Sequence, residues 1–387
     1  MKTQVAIIGA GPAGLLLGHL LRAAKIDCVI VERQKPNYIL GRIRAGVLET
    51  VTTGLMEQLG LADRMNAQGL REGGFNLADG SHLIRIDIEA LTGHKVMVYG
   101  QTELTRDLME AAPARGLEVI YGADDVALHD IVSERPSVTF TRDGRPERIE
   151  AQFIAGCDGF HGPSRGAIPG GECVEREYPF GWLGILADVA PCHDELIYAS
   201  SERGFALASM RSMSRSRYYI QVPLTERLEN WPEERLWDEL ELRFTGLAAR
   251  PVVRGPALEI SIAPLRSFVC ETMRRDRLFL AGDAAHIVPP TGAKGLNLAA
   301  SDVAYLAEAL VGWFARGDEA ALAGYEARAL ARIWKAERFS WYLTKLMHRF
   351  PEDGPFERRM QRAELDYIAQ SPAMQTAIAE NYVGLML

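Results

Sequence analysis

The hexapeptide GAGPAG at residues 9–14 constrains the fold of this chain more than any other segment. The apolar stretch QVAII at 4–8 precedes it, a largely apolar stretch from Leu15 to Ala24 follows it, and CVIV at 28–31 comes next. A short buried strand, a glycine-rich turn, an apolar helix and a second buried strand are typical of a β-α-β unit, whose parallel strands need a helical crossover. The chain is therefore predicted to begin with the first unit of a parallel sheet.

The glycines of this turn have the spacing of a dinucleotide-binding fingerprint. Gly9 permits the tight turn, Gly11 lets the backbone approach a pyrophosphate, and Gly14 lets helix and strand pack closely. The free N–H groups of the helix N-terminus favour an anion. Glu32, eighteen residues after Gly14, suits the ribose hydroxyls. A tight turn without a ligand is the alternative, and because the fingerprint occurs once, a nicotinamide cofactor would have to bind elsewhere.

Composition and charge exclude several classes of protein. The chain has 387 residues, 48% hydrophobic and 24% charged, which excludes intrinsic disorder and is enough for about two to three domains. A net charge of −8 without a long Lys/Arg run argues against nucleic acid as a partner. The five cysteines never form C-x-x-C, so we expect reduced thiols in a cytoplasmic protein, without a disulfide framework or a metal site.

The uncharged segment at 3–21 resembles a signal peptide or a membrane span by composition alone. Three glycines and Pro12 interrupt its middle, where a signal peptide needs a continuous apolar helix. A strand, turn and helix explain the same residues, so we expect neither secretion nor membrane association.

A change of pattern around residues 204–223 indicates a second domain. Gly204–Met210 and Arg217–Val222 alternate around a short Ser/Arg-rich turn, as in a β-hairpin of an antiparallel sheet, and the chain from Leu298 onward reads as helical. We predict an α/β (α+β) fold in three parts: a discontinuous Rossmann-like cofactor domain with a parallel sheet (1–73, 98–178 and 268–340), a substrate domain with an antiparallel sheet (74–97 and 179–267), and a C-terminal helical segment (341–387).

Two further acidic turns follow buried strands. Asp158 and Gly159 come after one strand, and Asp283 lies in RLFLAGDAAH at 277–286, where it suits a hydrogen bond from a ribityl hydroxyl. The second turn continues through Pro-Pro and a glycine-rich loop into a helix beginning near Gly295. The N-terminus of that helix could stabilise negative charge on a reduced isoalloxazine.

With these three turns in this order, the chain resembles the single-component FAD-dependent aromatic hydroxylases. Essentially the whole chain shares in the resemblance, through GRIRAGVLE (41–49), YGQTE (99–103), RSRYYIQVPL (215–224), IAPLRSF (262–268), AHIVPPTGAKGLNLAASD (285–302) and ENYVGL (380–385). The later segments are far more specific than the fingerprint.

The resemblance implies a flavoprotein monooxygenase that uses FAD, NADPH (with NADH possible) and O₂. It implies hydroxylation of 4-hydroxybenzoate at C3 to 3,4-dihydroxybenzoate through a C4a-hydroperoxyflavin, which attacks the ring ortho to the phenolic oxygen. The family also implies a homodimer, and the aromatic C-terminal helices suit an interface.

The substrate site must hold a carboxylate at one end and accept a phenolic proton at the other. Ser209 and Arg211 are two apart on a predicted strand and so share a face, and an arginine matches a carboxylate with two parallel hydrogen bonds. The resemblance adds Tyr219 to this end and the pair Tyr198 and Tyr382 to the phenol end. It further implies contacts from Met210 and the Pro290 carbonyl, and places Asn297 among the catalytic residues.

One catalytic position departs from the family. The proton relay of the family ends at a histidine, but in GLREGGF at 69–75 the matching residue is Glu72. A carboxyl group has an ordinary pKa of about 4.3, against about 6.5 for histidine. We therefore expect an altered pH dependence of substrate deprotonation.

The resemblance also assigns cofactor contacts. For FAD these are Gly9, Gly11, Ala13, Gly14, Glu32, Arg42, Arg44, Val47, Gln101, Asp158, Asp283, Lys294, Leu296 and Asn297, with Ala13 lacking the hydroxyl that the family can have there. For NADPH they are Arg33, Gln34, Tyr38, Arg44, His161 and Arg266. A cation near the 2′-phosphate favours NADPH, although each of these residues could also be a solvated surface residue.

Three other functions stay open at this point. The enzyme could hydroxylate another aromatic acid, such as a 3-hydroxy or amino analogue. It could be a non-catalytic binder of the same fold, such as the chaperones of prenylated GTPases, or a flavin reductase that uses no oxygen. The retained Asp283, PPTGAKGLN loop and tyrosine pair favour the hydroxylase.

Overall fold

The computed structural model describes residues 1–41, 46–80 and 82–384. Its strands are β1 (Val5–Ile8), β2 (Cys28–Glu32), β3 (Val47–Leu48), β4 (Leu70–Glu72), β5 (Phe75–Asp79), β6 (His82–Ile86), β7 (Val96–Val98), β8 (Glu118–Tyr121), β9 (Asp124–His129), β10 (Ser137–Arg142), β11 (Arg145–Glu150), β12 (Phe153–Gly156), β13 (Cys173–Ala187), β14 (Leu196–Ser201), β15 (Gly204–Ser212), β16 (Arg215–Pro223), β17 (Ala257–Cys270), β18 (Arg274–Arg275), β19 (Leu278–Leu280) and β20 (His286–Ile287). Its α-helices are α1 (Pro12–Ala23), α2 (Pro36–Leu40), α3 (Thr50–Gln58), α4 (Asp63–Gln68), α5 (Ile88–Thr92), α6 (Gln101–Ala111), α7 (Pro163–Gly166), α8 (Glu233–Phe244), α9 (Gly295–Arg316), α10 (Glu319–Met347), α11 (Pro355–Gln370) and α12 (Pro372–Val383).

A six-stranded sheet, ordered β18-β19-β12-β1-β2-β8, carries the glycine-rich turn. All its neighbours are parallel except β18 and β19, and Val5–Ile8 lies in register with Cys28–Val31. Every residue of β1 is buried, as is typical of a parallel strand covered on both faces. The predicted β-α-β unit is confirmed, and β12 and β19 end immediately before the two other acidic turns.

An eight-stranded sheet, ordered β20-β17-β13-β16-β15-β14-β5-β6, forms the second large element. One face packs against α8 through Ile185, Ala206 and Ile220, and the other faces α10 and α12 through Trp182 and Phe205. The predicted hairpin is β15 and β16. The sheet is antiparallel as predicted except at one pair, because β5 arrives from far earlier in the chain and lies parallel to β14.

The remaining strands form two smaller three-stranded sheets, ordered β11-β10-β9 and β3-β7-β4. Strand β13 begins at Cys173 and β17 ends at Cys270, so both run past the predicted boundaries at 178 and 268. The division of the chain into domains stays a prediction.

The C-terminal part of the described chain is helical, and one long helix contacts both large sheets. α10 has 29 residues. At one end the Tyr325 hydroxyl donates to the Leu280 carbonyl on β19, at 2.7 Å. Immediately after the other end, the His348 ring accepts from the Trp182 indole on β13, at 2.7 Å. The helix therefore spans from the parallel sheet to the eight-stranded sheet.

By length and composition, α9 is the single helix among the described residues that could cross a membrane. Buried residues make up 67% of its most apolar window, and the helix packs against α1 and α10 inside the protein. Its apolar character is therefore explained by core packing.

Candidate active site

The glycine-rich turn leaves an open space at the N-terminus of α1. A Cβ on Gly9 would overlap the Cys157 carbonyl, and one on Gly14 would overlap the Gly9 carbonyl, so both positions require glycine. At Gly11, by contrast, no heavy atom of the described chain lies within 4 Å of an added Cβ. Gly11 is the N-cap of α1, and no described side chain caps this end of the helix. The free N–H groups and the space beside Gly11 fit a pyrophosphate.

Glu32 lies at the end of β2 and is held against this turn. Its Oε2 accepts from the Ala10 backbone N–H at 2.7 Å, and its Oε1 accepts from the Gln34 N–H at 2.6 Å. A carboxylate can accept about four hydrogen bonds, so acceptor sites remain for ribose hydroxyls. These contacts fix the carboxylate beside the pyrophosphate space.

Asp158 and the GDAAH turn lie at the ends of β12 and β19, next to each other in the sheet. Asp158 Oδ2 accepts from the Ser164 N–H at 2.9 Å, and Oδ1 has no hydrogen-bond partner within the described chain. Burial raises the pKa of Asp158. Gly282 has φ of +65°, and a Cβ added there would crowd Ala13 and Ala299, while Asp283 follows it in a 3₁₀ turn. This arrangement brings two predicted acidic residues to one edge of the sheet.

Sequence reasoning missed a buried pair that holds the GDAAH turn. Asp302 Oδ2 on α9 accepts from the Gly282 N–H at 2.9 Å and lies 2.6 Å from His286 Nε2. Burial lowers the pKa of His286, but the Asp302 carboxylate outweighs it, so the pKa lies above its ordinary value. The pair fixes the turn to α9. The sequence segments that carry its two residues are GDAAH at 282–286 and SD at 301–302.

Asn297 fastens the start of α9 to the segment 46–52. Its Oδ1 accepts from the Glu49 N–H at 2.9 Å and from the Thr52 hydroxyl at 2.7 Å. Its Nδ2 donates to the carbonyls of Val47 and Ala293, each at 2.9 Å. The two acceptor positions and the two N–H donors of the Asn297 side chain are therefore all occupied within the protein, and these bonds position the loop.

Lys294 connects the same loop to the C-terminal helix. It is buried, and its Nζ lies 2.6 Å from Glu49 Oε1 and 3.1 Å from the Tyr382 carbonyl. Burial lowers the pKa of Lys294, and the Glu49 carboxylate opposes this. Glu49 also faces Arg332 at 3.4 Å, a contact that sequence reasoning missed. These two acceptors fix the Lys294 ammonium and occupy two of its three N–H donors.

The predicted tyrosine pair is present. The hydroxyls of Tyr198 on β14 and Tyr382 on α12 lie 3.2 Å apart, and both residues are 2% exposed. Phe75 stacks on the Tyr382 ring at 4.1 Å between ring centres. Burial raises the pKa of both tyrosines, so each hydroxyl holds a proton at neutral pH. The two hydroxyls can therefore pass a proton along a hydrogen bond.

Ser209 and Arg211 leave unpartnered polar atoms inside the protein. Within the described residues, neither Ser209 Oγ nor Arg211 Nη1 has a hydrogen-bond partner, although both atoms are buried. Arg211 is the extra residue of a β-bulge between Met210 and Ser212, so strand alternation alone does not fix its direction. It nevertheless lies within electrostatic reach of Tyr219, Glu72 and Tyr382.

Glu72 on β4 lies within electrostatic reach of Arg211. It is 6% exposed, and its Oε1 has no partner among the residues described. Burial raises its pKa to about 8, against a lowering effect of Arg211. The electrostatic influence of Glu72 reaches both Tyr198 and Tyr382. The structure thus brings together the residues predicted for both ends of the substrate.

Arg217 is a site residue that sequence reasoning missed. It is 4% exposed, its guanidinium lies over the Tyr219 ring at 4.8 Å, and Nη2 lies 3.2 Å from Glu259. Its Nε and Nη1 lack partners in the described part of the chain. Buried guanidinium N–H groups without acceptors are rare, so Arg217 is a candidate second cation beside Arg211. The segment RSRYYIQVPL contained it.

The remaining residues that were predicted to contact FAD or the substrate differ in their burial. Met210 and Val47 are buried, while Gln101 at the start of α6 and Leu296 on α9 are half-buried. Pro290 begins a 3₁₀ turn, and its carbonyl accepts from the Ala293 N–H at 2.9 Å, which leaves one lone pair.

The residues predicted for NADPH lie mostly at the surface. Arg33 is exposed and Gln34 is half-buried between β2 and α2, and Tyr38 is exposed on α2. His161 and Arg266 both contact the Phe160 ring, whose centre lies 5.1 Å from the His161 ring and 4.9 Å from the Arg266 guanidinium. Arg42 and Arg44 lie outside the described residues.

Comparisons with known proteins identify the family of the chain. The FAD binding domain family matches residues 2–340. A p-hydroxybenzoate hydroxylase of Acinetobacter baylyi is 54% identical over 388 aligned residues, covering 100% of this chain and 96% of the relative. A rifampicin monooxygenase of Rhodococcus hoagii is 28% identical, covering 78% of this chain and 62% of the relative.

Solved structures share the fold. The p-nitrophenol 4-monooxygenase of Pseudomonas putida superposes with a TM-score of 0.81 at 19% identity, with full coverage of both chains. The anhydrotetracycline hydroxylase of Streptomyces rimosus superposes with a TM-score of 0.78 at 23% identity, covering 100% of this chain and 77% of that one. Together with the family match and the cofactor cradle, these findings show that the chain belongs to the FAD-dependent aromatic hydroxylases.

Proposed function

We propose that this hydroxylase converts 4-hydroxybenzoate to 3,4-dihydroxybenzoate, with NADPH as the electron donor and O₂ as the oxidant. The observation that carries the proposal is that the unpartnered Ser209 Oγ and Arg211 Nη1 are buried on one strand, and that Arg211 lies within electrostatic reach of Tyr382, whose hydroxyl meets that of Tyr198. A relative with 54% identity is named for this substrate, which supports the choice of acid. When bound, reduced FAD would supply the activation of O₂.

The carboxylate end is built from atoms that lack partners within the described chain. Arg211 offers parallel N–H groups to a carboxylate, the Ser209 hydroxyl donates a further bond, and Tyr219 on the facing strand donates a third. A buried polar atom without a partner costs about 1–3 kcal/mol. A bound carboxylate removes this cost, so the site selects an aromatic acid over a neutral phenol.

The phenol end is built to remove a proton. Hydroxylation of a ring is electrophilic, so a phenolate reacts more readily than a phenol. Tyr198 can accept the phenolic proton while donating its own to Tyr382, and Glu72 can receive it from there. The free lone pair of the Pro290 carbonyl can hold the phenolic O–H before transfer. The product then carries its new hydroxyl ortho to the first, at C3.

Glu72 can serve where the family has histidine because burial has changed its acidity. Its pKa of about 8 makes the ionised carboxylate a base strong enough to take up a proton, with about one tenth of the groups ionised at pH 7 and more at higher pH. A free glutamate is ionised above about pH 4.3, and its carboxylate is too weak a base to hold a transferred proton at neutral pH. We therefore propose that Glu72 ends the proton relay.

Surface cations support NADPH as the preferred donor, although NADH remains a possible substitute. Arg33 lies directly after the strand whose end binds the cofactor ribose, where a 2′-phosphate would meet a cation. We also propose a cytoplasmic homodimer, supported by large apolar side chains exposed along α11, namely Phe356, Met360 and Tyr367.

Anaerobic flavin reduction with NADPH and NADH, each with and without 4-hydroxybenzoate, tests the proposal together with product analysis in air. We expect substrate-stimulated reduction, faster with NADPH, and 3,4-dihydroxybenzoate as the product. Reduction without a hydroxylated product would instead identify a flavin reductase. Product formation only from another aromatic acid would overturn the substrate assignment.

A further inference from the structure

Two of the five cysteines lie directly opposite each other in the eight-stranded sheet. Cys173 begins β13 and Cys270 ends β17, and they are register partners in this antiparallel pair. The other three cysteines, Cys28, Cys157 and Cys192, are buried elsewhere, and all five are free thiols. The two thiols at the sheet position are in contact with each other.

Residues opposite each other in an antiparallel sheet form either a hydrogen-bonded or a non-hydrogen-bonded pair, and the backbone hydrogen bonds distinguish the two. The Glu271 N–H donates to the Glu172 carbonyl at 2.8 Å, so the neighbouring residues form the hydrogen-bonded pair. The Cys270 N–H points to the other side and donates to the Ala285 carbonyl at 2.8 Å. Cys173 and Cys270 therefore form a non-hydrogen-bonded pair, in which the Cα atoms are about 4.5 Å apart and the side chains are closest. Disulfides span Cα separations of about 4.4–6.8 Å, so no backbone movement is needed.

Exposure gives the two thiols different roles. Cys173 is exposed and can meet an oxidant, whereas Cys270 is 1% exposed and donates to the Thr272 carbonyl at 3.2 Å. Burial and the neighbouring Cys173 raise the pKa of Cys270 to about 12, against a lowering effect of Arg165. Cys173 is thus the thiol that reacts first, and Cys270 is the one that resolves the product.

We propose that Cys173 and Cys270 are a site of reversible oxidation, at which a peroxide converts the two thiols to a disulfide across the sheet. The Cys173 sulfur attacks a peroxide oxygen, the S–O bond forms, the O–O bond breaks, and the leaving hydroxide takes the thiol proton as water. The Cys270 sulfur then attacks the Cys173 sulfur, the S–S bond forms, the S–O bond breaks, and a second water leaves with the Cys270 proton. The thiols lose two electrons and hydrogen peroxide is reduced to two waters.

Thiol counting on the full chain tests the proposal. Purified protein is treated with hydrogen peroxide, denatured, alkylated and analysed by peptide mass mapping. We expect the alkylated thiols to fall from five to three, with a Cys173–Cys270 cross-linked peptide that dithiothreitol removes. Cys173→Ser starts with four thiols and should keep all four. Cys192→Ser is the matched control and should fall from four to two.

Three results would overturn the inference. One is an unchanged thiol count under conditions that oxidise the free thiol of glutathione. Another is a disulfide-linked dimer on a non-reducing gel, with one thiol lost per chain. The third is Cys173 oxidised to a sulfinic acid while Cys270 is still alkylated.

Discussion

The acidity of Glu72 leads to a prediction that can be worked through in numbers. Burial moves its pKa from the model-compound value of 4.5 to about 8. At about 1.36 kcal/mol per pKa unit, ionising the carboxyl group in the folded protein costs roughly 5 kcal/mol more than in the unfolded chain. With a pKa near 8, about one tenth of the group is ionised at pH 7, whereas an ordinary glutamate would be almost fully ionised.

The raised pKa of Glu72 also makes the free energy of unfolding depend on pH. The folded state holds this proton more tightly than the unfolded state, so stability falls as pH rises from about 4.5 to about 8. Glu72→Gln removes the ionisation and should flatten that part of the profile. Chemical denaturation at about pH 5 and pH 9 should therefore show a larger loss of unfolding free energy for the natural protein than for the variant.

The functional assay measures the ionisation of bound 4-hydroxybenzoate by its phenolate absorbance as a function of pH. We expect a midpoint near pH 8 for the natural protein, since the relay then gains its proton acceptor. Glu72→His should move the midpoint to lower pH, because the ordinary pKa of histidine is about 6.5 and burial lowers it further. Glu72→Gln should abolish the transition. Superimposable profiles for the natural protein and both variants would refute the reasoning.

The other predictions concern the carboxylate end, the cofactor turn and the relay. Arg211→Lys loses the parallel pair of hydrogen bonds and should weaken 4-hydroxybenzoate binding by about ten- to a hundredfold in a flavin absorbance titration. Arg215→Lys, at an exposed position of the same hairpin, should bind as the natural protein does, and equal losses in both would contradict the assignment. Gly11→Ala should leave the Tm of the apoprotein unchanged and lower FAD affinity by about tenfold, because its Cβ meets only the ligand. Gly14→Ala should instead reduce folded protein, since its Cβ overlaps backbone, so a stable Gly14→Ala variant would be evidence against the packing described. Tyr382→Phe should lower the rate of hydroxylation with little change in the Kd of 4-hydroxybenzoate, and a change confined to Kd would remove it from the relay.

The elements that follow local rules were predictable from the sequence. The turn at 9–14 is fixed by φ and close packing at Gly9 and Gly14, which only glycine satisfies, so spacing alone revealed it. The hairpin of β15 and β16 followed from alternation, but the bulge at Arg211 did not, because a bulge depends on how the partner strand is twisted.

Features set by distant contacts were beyond local sequence rules. The raised pKa of Glu72 arises from burial by segments far away in the chain, and its sequence neighbours give no sign of this. The same holds for Arg217, whose alternating position looks solvated until Glu259 and Tyr219 are placed beside it. The one parallel pair of the second sheet was likewise not predicted, because pairing of β5 with β14 joins segments more than a hundred residues apart.

The long helix α10 limits how this enzyme can open. Its 29 residues give a rod of about 44 Å at 1.5 Å per residue. Hydrogen bonds hold it to β19 near one end and to β13 at the other, and its Thr344 hydroxyl lies 2.9 Å from Thr291 in the loop before α9. A hinge between the two sheets would have to bend this rod. Entry of the substrate, and access of an electron donor to the flavin, would therefore require loops to move on a rigid body.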